Sequence, residues 1–501
     1  MVLHNYFSTR KKSRQRYTSP IQSTSMAENF EKSLLGTLRL HSSPITCVIP
    51  FYLPSTLRYS PNEEQETQYP IFTTSVISAD ESGLIIWWNL ATRRPLGIWK
   101  AHDETVLTMK QLGLSWNFNA SEISGINIPI VGDNFGQLLT HSKDGSMKIW
   151  RLIDLISGAN SGFTYSCLLK KKLSTNEELK TITPPIVFEM PINVLNFTNV
   201  DITSNGVLIT PATIDSEGFD IYIIDTEQND DYKKLRRLIQ NLKFKDVRTS
   251  KPEKTEFHEE IEKEVDLTKR DSTGVIMKVK WIDDKRVVVG YENGQVVGYK
   301  IGENSDETEV VFNDESLTGN SITSILYDPK SKRIVCASTG SKVLIMGIDG
   351  DSIIESRTFN VKHKGINDID VDFTTDCIGL ITWDGYTRVY RYSEEDNVLD
   401  FVLKFKRPTP AISSSKEAMD NENGDINQAN GLQAQRANVI KFTIKQVDPS
   451  NSQKIRDLNL QIVYTNGRCK NIVKKNREES FGERWMFVGY QDGKIAVYSL
   501  K

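Results

Sequence analysis

Histidine and cysteine are the side chains that most often ligate metals or act as nucleophiles, and this chain has few of either. The cysteines are Cys47, Cys167, Cys336, Cys377 and Cys469. The histidines are His4, His41, His102, His141, His258 and His363. No pair among them has metal-site spacing, and the sequence contains no phosphate-binding loop, zinc-protease motif or nucleophile elbow. The sequence therefore predicts no enzyme, no cofactor and no metal, and an odd number of dispersed thiols suits a reducing compartment.

The aspartates that could work with these histidines belong mostly to a recurring hairpin turn. Each turn ends in glycine, and a short apolar strand follows with an aromatic residue five positions later. The glycine–aromatic pairs are Gly83–Trp88, Gly145–Trp150, Gly294–Tyr299, Gly385–Tyr390 and Gly493–Tyr498. Weaker copies lie at Gly218 and Gly340. Glycine supplies the positive φ that a tight hairpin needs. The two shortest intervals between the seven glycines, 46 and 45 residues, match the period of a propeller blade, and the longer intervals need insertions.

A second motif precedes the turn and contains the histidine. Leu34–Val48, "LLGTLRLHSSPITCV", and Pro95–Met109, "PLGIWKAHDETVLTM", both place histidine five residues after Leu-Gly, at His41 and His102. A shorter copy, "NVKHKGINDI", contains His363. This motif opens a repeat, and the glycine turn with its aromatic strand closes it.

Together the two motifs resemble the WD-repeat family, which implies an all-β, seven-bladed WD-repeat β-propeller. In that family His, a strand Ser or Thr, a turn Asp and a strand Trp form a hydrogen-bonded tetrad inside a blade. The resemblance implies tetrads of His102, Ser142, Asp144 and Trp150 in repeat two, and of His41, Ser78, Asp80 and Trp88 in repeat one. In repeat six it implies His363, Thr382 and Asp384, with Tyr390 in place of Trp. These groups are interpreted as structural, because buried polar atoms must be paired.

The resemblance also implies how the ring closes. The aromatic strand is third in its blade, and the Leu-Gly…His segment that follows supplies the fourth strand. The chain ends on an aromatic strand, Lys494–Leu500, whereas Leu34–His41 has no blade before it. We therefore expect the N-terminal strand to pair with the C-terminal strand, which removes an exposed sheet edge.

Composition divides the chain into a tail, a propeller and insertions. Residues 1–32 are predicted to be a disordered basic tail, in which "RKKSRQR" (Arg10–Arg16) is either a solvated tail or a nuclear-import patch. The propeller spans 33–501, with polar or low-complexity insertions at about 54–70, 114–130, 228–271, 409–436 and 447–483. Within the last insertion, Leu458–Gly467 is a candidate strand of the final blade.

Two insertions contain candidate partner contacts. Trp116 and Phe118 occupy no repeat position, so they either pack their loop onto the propeller or anchor a partner. Apolar residues at three- and four-residue spacing predict an amphipathic helix over Asp230–Phe244. Its apolar face includes Leu235, Leu238 and Ile239, and it docks either on its own propeller or on another protein.

Bulk properties exclude several classes of partner. The formal net charge of −3 is small for 501 residues and offers no argument for nucleic-acid binding. No apolar run approaches the roughly 18 residues of a membrane span, and the N-terminus lacks the apolar core of a secretory signal. Proteins are therefore the expected partners.

The overall layout resembles the fungal ASTRA-associated WD-repeat family and is similar to its animal G-protein-β-like WD-repeat relatives. The resemblance rests on the early "LRLHSSPITCV", on "GLIIWWNLATRRPLGIWKAHDETVL", on the irregular middle blades and on the terminal "VGYQDGKIAVYSLK". It implies a non-catalytic scaffold subunit of the ASTRA complex, linked to chromatin remodelling and to the Triple-T cochaperone that matures phosphatidylinositol-3-kinase-like kinases.

The implied partners are Triple-T and ASTRA subunits, with one copy of this chain in the complex. The implied location is the nucleus, with the cytoplasm as an additional site. Two alternatives stay open. One is an adaptor in another assembly, such as a ubiquitin-ligase substrate receptor, although no F-box-like module precedes the propeller. The other is an enzyme using the central channel, which a cluster of perturbed titratable groups there would support.

Overall fold

The computed structural model describes residues 32–59, 69–90, 92–118, 127–157, 163–167, 183–193, 198–224, 235–249, 273–373, 375–407, 435–444 and 484–500. Within these ranges the regular elements are β-strands and two single-turn 3₁₀ helices, Phe244–Asp246 and Ser305–Glu307. The strands form seven antiparallel sheets of four strands, one of which gains a fifth short strand. Each sheet is one blade of a propeller, as predicted from the repeats.

The first three blades follow one another along the chain. An N-terminal strand, β1 (Lys32–Arg39), precedes blade one, which consists of β2 (Ile45–Tyr59), β3 (Tyr69–Asp80), β4 (Leu84–Asn89) and β5 (Arg94–Lys100). The chain then forms β6 (Val106–Gln111), the hairpin β7 (Leu114–Asn117) and β8 (Ile128–Val131), and strands β9 (Gln137–Ser142) and β10 (Ser146–Arg151). A second hairpin, β11 (Ile153–Ser157) and β12 (Phe163–Cys167), precedes β13 (Ile186–Pro191). Blade two consists of β6, β9, β10 and β13. Blade three consists of β14 (Asp201–Ile202), β15 (Val207–Pro211), β16 (Phe219–Ile224) and β17 (Leu235–Leu242).

The remaining blades complete the ring. A short strand, β18 (Arg248–Thr249), pairs with the edge of blade four, which consists of β19 (Ile276–Trp281), β20 (Arg286–Tyr291), β21 (Val296–Lys300) and β22 (Glu309–Asp314). Blade five consists of β23 (Ile322–Asp328), β24 (Arg333–Ser338), β25 (Lys342–Asp349) and β26 (Ser352–Asn360). Blade six consists of β27 (Ile366–Asp372), β28 (Cys377–Thr382), β29 (Thr387–Ser393) and β30 (Val398–Phe405). Blade seven consists of β31 (Ala437–Phe442), β32 (Arg484–Tyr490), β33 (Lys494–Leu500) and β1.

Burial differs between inner and outer strands in the way a propeller requires. Every residue of β24 and of β28 is buried, because a middle strand packs between two neighbouring blades. Residues of the outermost strands, such as β26, are mostly exposed or half-buried. This is why the sequence shows continuous apolar runs beside each turn but weaker patterns in the fourth strands.

The predicted ring closure is confirmed. Strand β1 pairs antiparallel with β33 along its whole length, from Lys32 opposite Leu500 to Arg39 opposite Lys494. Blade seven therefore takes its outer strand from the start of the chain and its three inner strands from the end. Leu38 is buried in this closure and packs in one cluster with residues of blades one and seven.

The turn glycines connect each hairpin to the histidine segment. Gly83 and Gly493 have φ of +84° and +74°, a conformation that L side chains rarely adopt. A Cβ at Gly83 would overlap the carbonyl oxygen of His102, and one at Gly493 would overlap that of His41. The glycines of the two weaker copies, Gly218 and Gly340, do not have positive φ, so the turn chemistry differs in blades three and five.

The predicted helix over Asp230–Phe244 is wrong, since Leu235–Leu242 is strand β17, the outer strand of blade three. The pairing between β16 and β17 contains two register shifts, and Asn241 has a left-handed φ of +49°. A bulge moves successive side chains out of strict alternation. Consequently Ile239 and Leu242, three residues apart, are both buried, which imitates the spacing of a helical face.

The structure places parts of two predicted insertions in paired strands. Pairing between β2 and β3 continues to Tyr59 opposite Tyr69, so only 60–68 of the 54–70 insertion lies outside the described residues. The 114–130 insertion contains the hairpin β7–β8. The N-terminal tail up to residue 31, nearly all of 409–436, the whole of 447–483 and its candidate strand Leu458–Gly467 lie outside the described residues.

Candidate functional site

Blade one contains a continuous hydrogen-bonded chain of four buried side chains. The Trp88 Nε1–H donates to Ser78 Oγ at 2.8 Å, and Ser78 Oγ lies 2.8 Å from His41 Nε2. His41 Nδ1 lies 2.8 Å from the Asp80 carboxylate. One neutral tautomer satisfies every atom, with Ser78 donating to Nε2 and Nδ1–H donating to Asp80. The set predicted for repeat one is therefore assembled as a structural network.

Blade two has the same chain with one different member. The Trp150 Nε1–H donates to Thr140 Oγ1 at 2.9 Å, and His102 Nε2 lies 2.7 Å from the same oxygen. His102 Nδ1 lies 2.9 Å from the Asp144 carboxylate. The hydroxyl predicted for this role, that of Ser142, instead donates to the Glu104 carbonyl at 3.0 Å.

The correction from Ser142 to Thr140 has a simple reason in the strand register. Ser78 and Thr140 both stand ten residues before the tetrad tryptophan and five before the turn glycine. Ser142 stands only three residues before its glycine, at the position of Asp80 in blade one. The misleading feature is that Ser-x-Asp occurs at both places, whereas spacing from the glycine would have identified Thr140.

The charge states of these groups fit a structural role. Burial lowers the pKa of His102 despite the opposing influence of Asp144, so the ring is neutral. Burial raises the pKa of both Asp80 and Asp144, but hydrogen bonds outweigh it and leave both pKa values below the ordinary range. Each aspartate is an ionised acceptor whose oxygens are occupied by donors of its own blade.

Blade six does not form a tetrad. Leu380 stands five residues before Gly385, so no hydroxyl is available to His363, which is half exposed and 3.5 Å from the Asp384 carboxylate. The buried guanidinium of Arg388 replaces the histidine, donating to Asp384 at 2.6 and 2.9 Å and also to Thr382. The ring of Tyr390 is buried and packs edge-on against Phe401.

Blades four and seven use a pair of tyrosines instead. The hydroxyls of Tyr291 and Tyr299 are 2.6 Å apart, and those of Tyr490 and Tyr498 are 3.1 Å apart. In each pair the first tyrosine stands three residues before the turn glycine and the second five residues after it. The two phenols satisfy each other, so a blade can dispense with histidine while keeping the aromatic strand.

The centre of the ring encloses a cavity of about 360 Å³, lined by the innermost strands of all seven blades. Its charged lining includes a group around Asp201, whose carboxylate lies 2.5 Å from Lys110 Nζ and 3.2 Å from Lys280 Nζ. The main-chain N–H of Trp281 donates to the same carboxylate at 3.0 Å. Burial alone would raise the pKa of Asp201, but the two lysines lower it far below the usual range.

A second group links blades six and seven. Asp368 accepts the main-chain N–H of Ile440 at 2.9 Å, and Asp370 accepts that of Phe442 at 2.7 Å. Asp370 also accepts a hydrogen bond from Lys441 at 3.0 Å. Residues two apart on one strand thus bind residues two apart on the next, which shows that these neighbouring innermost strands run parallel. These links could not be predicted from the repeats, and their only local signal in the sequence is charge within an otherwise buried strand.

Three further buried groups have shifted pKa values, and two of them, Cys47 and Lys278, line the cavity. Burial raises the pKa of the Cys47 thiol to about 12, so it is protonated at neutral pH and donates to the Val106 carbonyl. Burial lowers the pKa of Lys278, whose ammonium forms no ion pair or hydrogen bond with any described residue. His141 is buried in β9, and its pKa is lowered to about 3.

The candidate partner residues are mostly used within the propeller. Trp116 packs edge-on against Tyr52 and Phe72, and buried Phe118 packs against Phe373. These contacts correspond to the interpretation that the 114–130 segment packs on its own propeller. In β17, Ile239 is buried and Leu238 is half-buried, whereas Leu235 is 42% exposed. Of the five candidates, Leu235 alone is exposed.

Two further observations concern the described ranges as a whole. No group of three or more His, Cys, Asp or Glu side chains there is arranged to hold a metal ion. None of the helices in those ranges is long and apolar enough to cross a membrane.

A closed ring of seven four-stranded blades, two of them with a His–Ser/Thr–Asp–Trp chain, defines a WD-repeat β-propeller. The profile of one family, ASTRA-associated protein 1, matches residues 35–498. The chain is 30% identical over 476 residues to ASTRA-associated protein 1 of Komagataella phaffii, covering 92% of this chain and 96% of that protein. It is 27% identical to the Debaryomyces hansenii protein of the same name, covering 93% and 99%. This chain belongs to the ASTRA-associated protein 1 family.

Among solved structures, the β-propeller domain of Myceliophteria thermophila Cps50 (Swd1) is similar, with a TM-score of 0.48 and 10% sequence identity. The comparison covers 94% of this chain and 100% of that domain.

Proposed function

We propose that this protein is a non-catalytic scaffold subunit of the ASTRA complex. The observation that carries the proposal is the match with the ASTRA-associated protein 1 family over residues 35–498, which include nearly the whole ring. The finer role, a link to chromatin remodelling and to the Triple-T cochaperone of phosphatidylinositol-3-kinase-like kinases, follows from the resemblance described above and belongs to the same proposal.

The geometry of the ring supports a scaffold. A closed propeller holds loops from seven blades on a rigid frame, so a partner can bind without first ordering the surface. The perturbed carboxylates at the central cavity, which would be the first candidates for catalysis, are engaged in links between blades. Asp201, Asp368 and Asp370 all accept main-chain N–H groups of the next blade. The shifted pKa values of these carboxylates are therefore explained by their burial and by their contacts with neighbouring groups.

Affinity purification of the tagged full-length chain from its source cells tests the proposal. We expect ASTRA subunits and the Triple-T cochaperone to be recovered and identified by mass spectrometry. Recovery of cullin-type ubiquitin-ligase subunits instead would support the alternative adaptor role and contradict the proposal. A preparation containing no partner would also contradict it.

The same family resemblance leads us to propose that the protein is located mainly in the nucleus. We expect a fluorescent fusion of the full chain to concentrate in the nucleus, with a smaller cytoplasmic fraction. Exclusion from the nucleus would contradict the proposed link to chromatin-related work.

A further inference from the structure

Blade six exposes a large aromatic side chain in a defined position. Trp383 lies in the turn between β28 and β29, and 55% of its surface is exposed. Its main-chain N–H donates to the Gly365 carbonyl at 2.8 Å, and a Cβ at Gly365 would overlap the indole ring. The ring therefore lies against the backbone of Gly365 with its outer surface in solvent. Tryptophan held in this way is the residue type most enriched at binding hot spots.

Basic residues of three chain segments lie at the same end of blade six as this tryptophan. Lys362 and Lys364 belong to the connection before blade six, Lys404 and Lys406 to the end of β30 and the residue that follows it, and Arg436 directly precedes β31. The turn between the second and third strands lies at the same end of an antiparallel sheet as the connections into and out of it. We call this surface, formed by Trp383, Lys362, Lys364, Lys404, Lys406 and Arg436, the blade six patch.

Contacts show that the patch is continuous. Lys406 Nζ donates to the Asp384 main-chain carbonyl at 3.1 Å, next to Trp383 in the chain. The Asp384 carboxylate is already occupied by Arg388 and lies 3.5 Å from His363, which stands between Lys362 and Lys364. Arg436 lies against Gly385, where an added Cβ would be 3.0 Å from its Cγ.

Most of the positive charge of the patch is unpaired among the described residues. Within those ranges, Lys362, Lys364, Lys404 and Arg436 form no ion pair with an acidic side chain. The nearby carboxylates of Asp384 and Asp492 are paired with other cations, Asp384 with buried Arg388 and Asp492 with Arg407 and Lys494. This local excess of cations stands on a protein whose formal net charge is −3. A partner of opposite charge would gain from complementarity at this surface.

We propose that the blade six patch binds an acidic peptide segment of a protein partner, with an apolar side chain of that segment packed on Trp383. The inference rests on the proposed scaffold function and specifies the chemistry of one partner. A protein is favoured over nucleic acid because the chain as a whole has a formal net charge of −3, whereas nucleic-acid-binding domains are generally basic.

Zero-length crosslinking of the purified complex tests the proposal. A carbodiimide joins lysine amines to carboxylates in direct contact, so Lys362, Lys364 or Lys404 should crosslink to Asp or Glu of one partner segment. Trp383→Ala, and separately Lys362→Glu with Lys364→Glu, should reduce recovery of that partner by roughly tenfold or more, the effect of about 1.4 kcal/mol.

The matched controls are exposed residues elsewhere, Ile354→Ala for the tryptophan and Lys245→Glu with Lys285→Glu for the lysines. These controls should recover the partner at the wild-type level. Because all the altered side chains are exposed, unchanged thermal melting of each variant should show that folding is intact.

Three outcomes would overturn the proposal. They are wild-type recovery of every partner by both patch variants, absence of crosslinks from the patch lysines in the intact complex, and patch-dependent recovery that disappears on nuclease treatment. These results refute the inference alone. Failure of the wild-type chain to recover any partner refutes the proposed function, and this inference with it.

Discussion

Replacing Thr140 by valine should destabilise the protein strongly, although it changes neither the shape nor the volume of the side chain appreciably. The hydroxyl accepts from Trp150 Nε1 at 2.9 Å and pairs with His102 Nε2 at 2.7 Å, and all three groups are buried. Valine leaves both nitrogens without a partner. Each buried unpaired group costs about 1–3 kcal/mol, so two of them lower the unfolding free energy by about 2–6 kcal/mol.

Two control variants test whether the Thr140 hydroxyl is the group on which the stability depends. Thr140→Ser keeps the oxygen, as Ser78 does in blade one, and should cost only about 0.8 kcal/mol for the missing methyl group. Ser142→Ala removes a hydroxyl that bonds the Glu104 carbonyl near the surface, and should cost about 0.5–1.5 kcal/mol.

Equilibrium urea unfolding followed by tryptophan fluorescence measures all three variants. We expect Thr140→Val to be the most destabilised variant, well ahead of the other two. Equal destabilisation by Ser142→Ala, or a loss of stability in Thr140→Ser as large as in Thr140→Val, would show that the Thr140 hydroxyl is not the deciding group.

Three further predictions concern the cavity, the buried histidine and the closure of the ring. Asp201→Leu leaves Lys110 and Lys280 without their buried partner, so it should lower the unfolding free energy by about 3–5 kcal/mol in urea titrations. Wild-type stability of this variant would contradict the assigned link between the blades. Burial lowers the pKa of His141 to about 3, whereas in the unfolded chain it is about 6.5. Between these two pH values the unfolded chain binds a proton that the folded chain does not bind, so the unfolding free energy should fall by up to about 1.4 kcal/mol for each unit by which the pH is lowered. His141→Gln should flatten that slope in unfolding measured across pH, and an unchanged slope would contradict it. Leu38→Ala at the buried closure should cost about 2–5 kcal/mol, whereas Leu40→Ala, 40% exposed two residues away, should melt close to wild type; equal effects would argue against the closure as the stabilising element.

The architecture could be predicted because its signals are local. A turn glycine and an aromatic residue five positions later lie in one hairpin, so Gly145 and Trp150 reveal a blade without knowledge of any other blade. Ring closure could be predicted from the order of the repeat motifs. The segment Leu34–His41 has the pattern of a fourth strand but precedes the first blade, and the last blade lacks a fourth strand of its own, so the two were expected to pair, as they do.

The errors arose where local patterns are ambiguous. In blade three a bulge beside Asn241 places Ile239 and Leu242 on the same side of a strand, and the resulting three-residue spacing looked helical. In blade two, Ser142 and Thr140 are both hydroxyls in one strand, and only pairing within the folded blade shows which of them lies beside the histidine and tryptophan.

The class of fold, the number of blades, the closing strand and the positions of the turn glycines can all be derived from the sequence. Each of these is encoded by residues within one repeat or by the order of the repeats. The tertiary structure alone decided how the blades are linked at the central cavity and which charges meet on the blade six patch. Asp370 meets Lys441, and Arg436 lies against Gly385, across stretches of chain that include a long insertion. Contacts of that kind leave no periodic pattern in the sequence, because residues far apart in the chain meet only through the packing of one blade against the next.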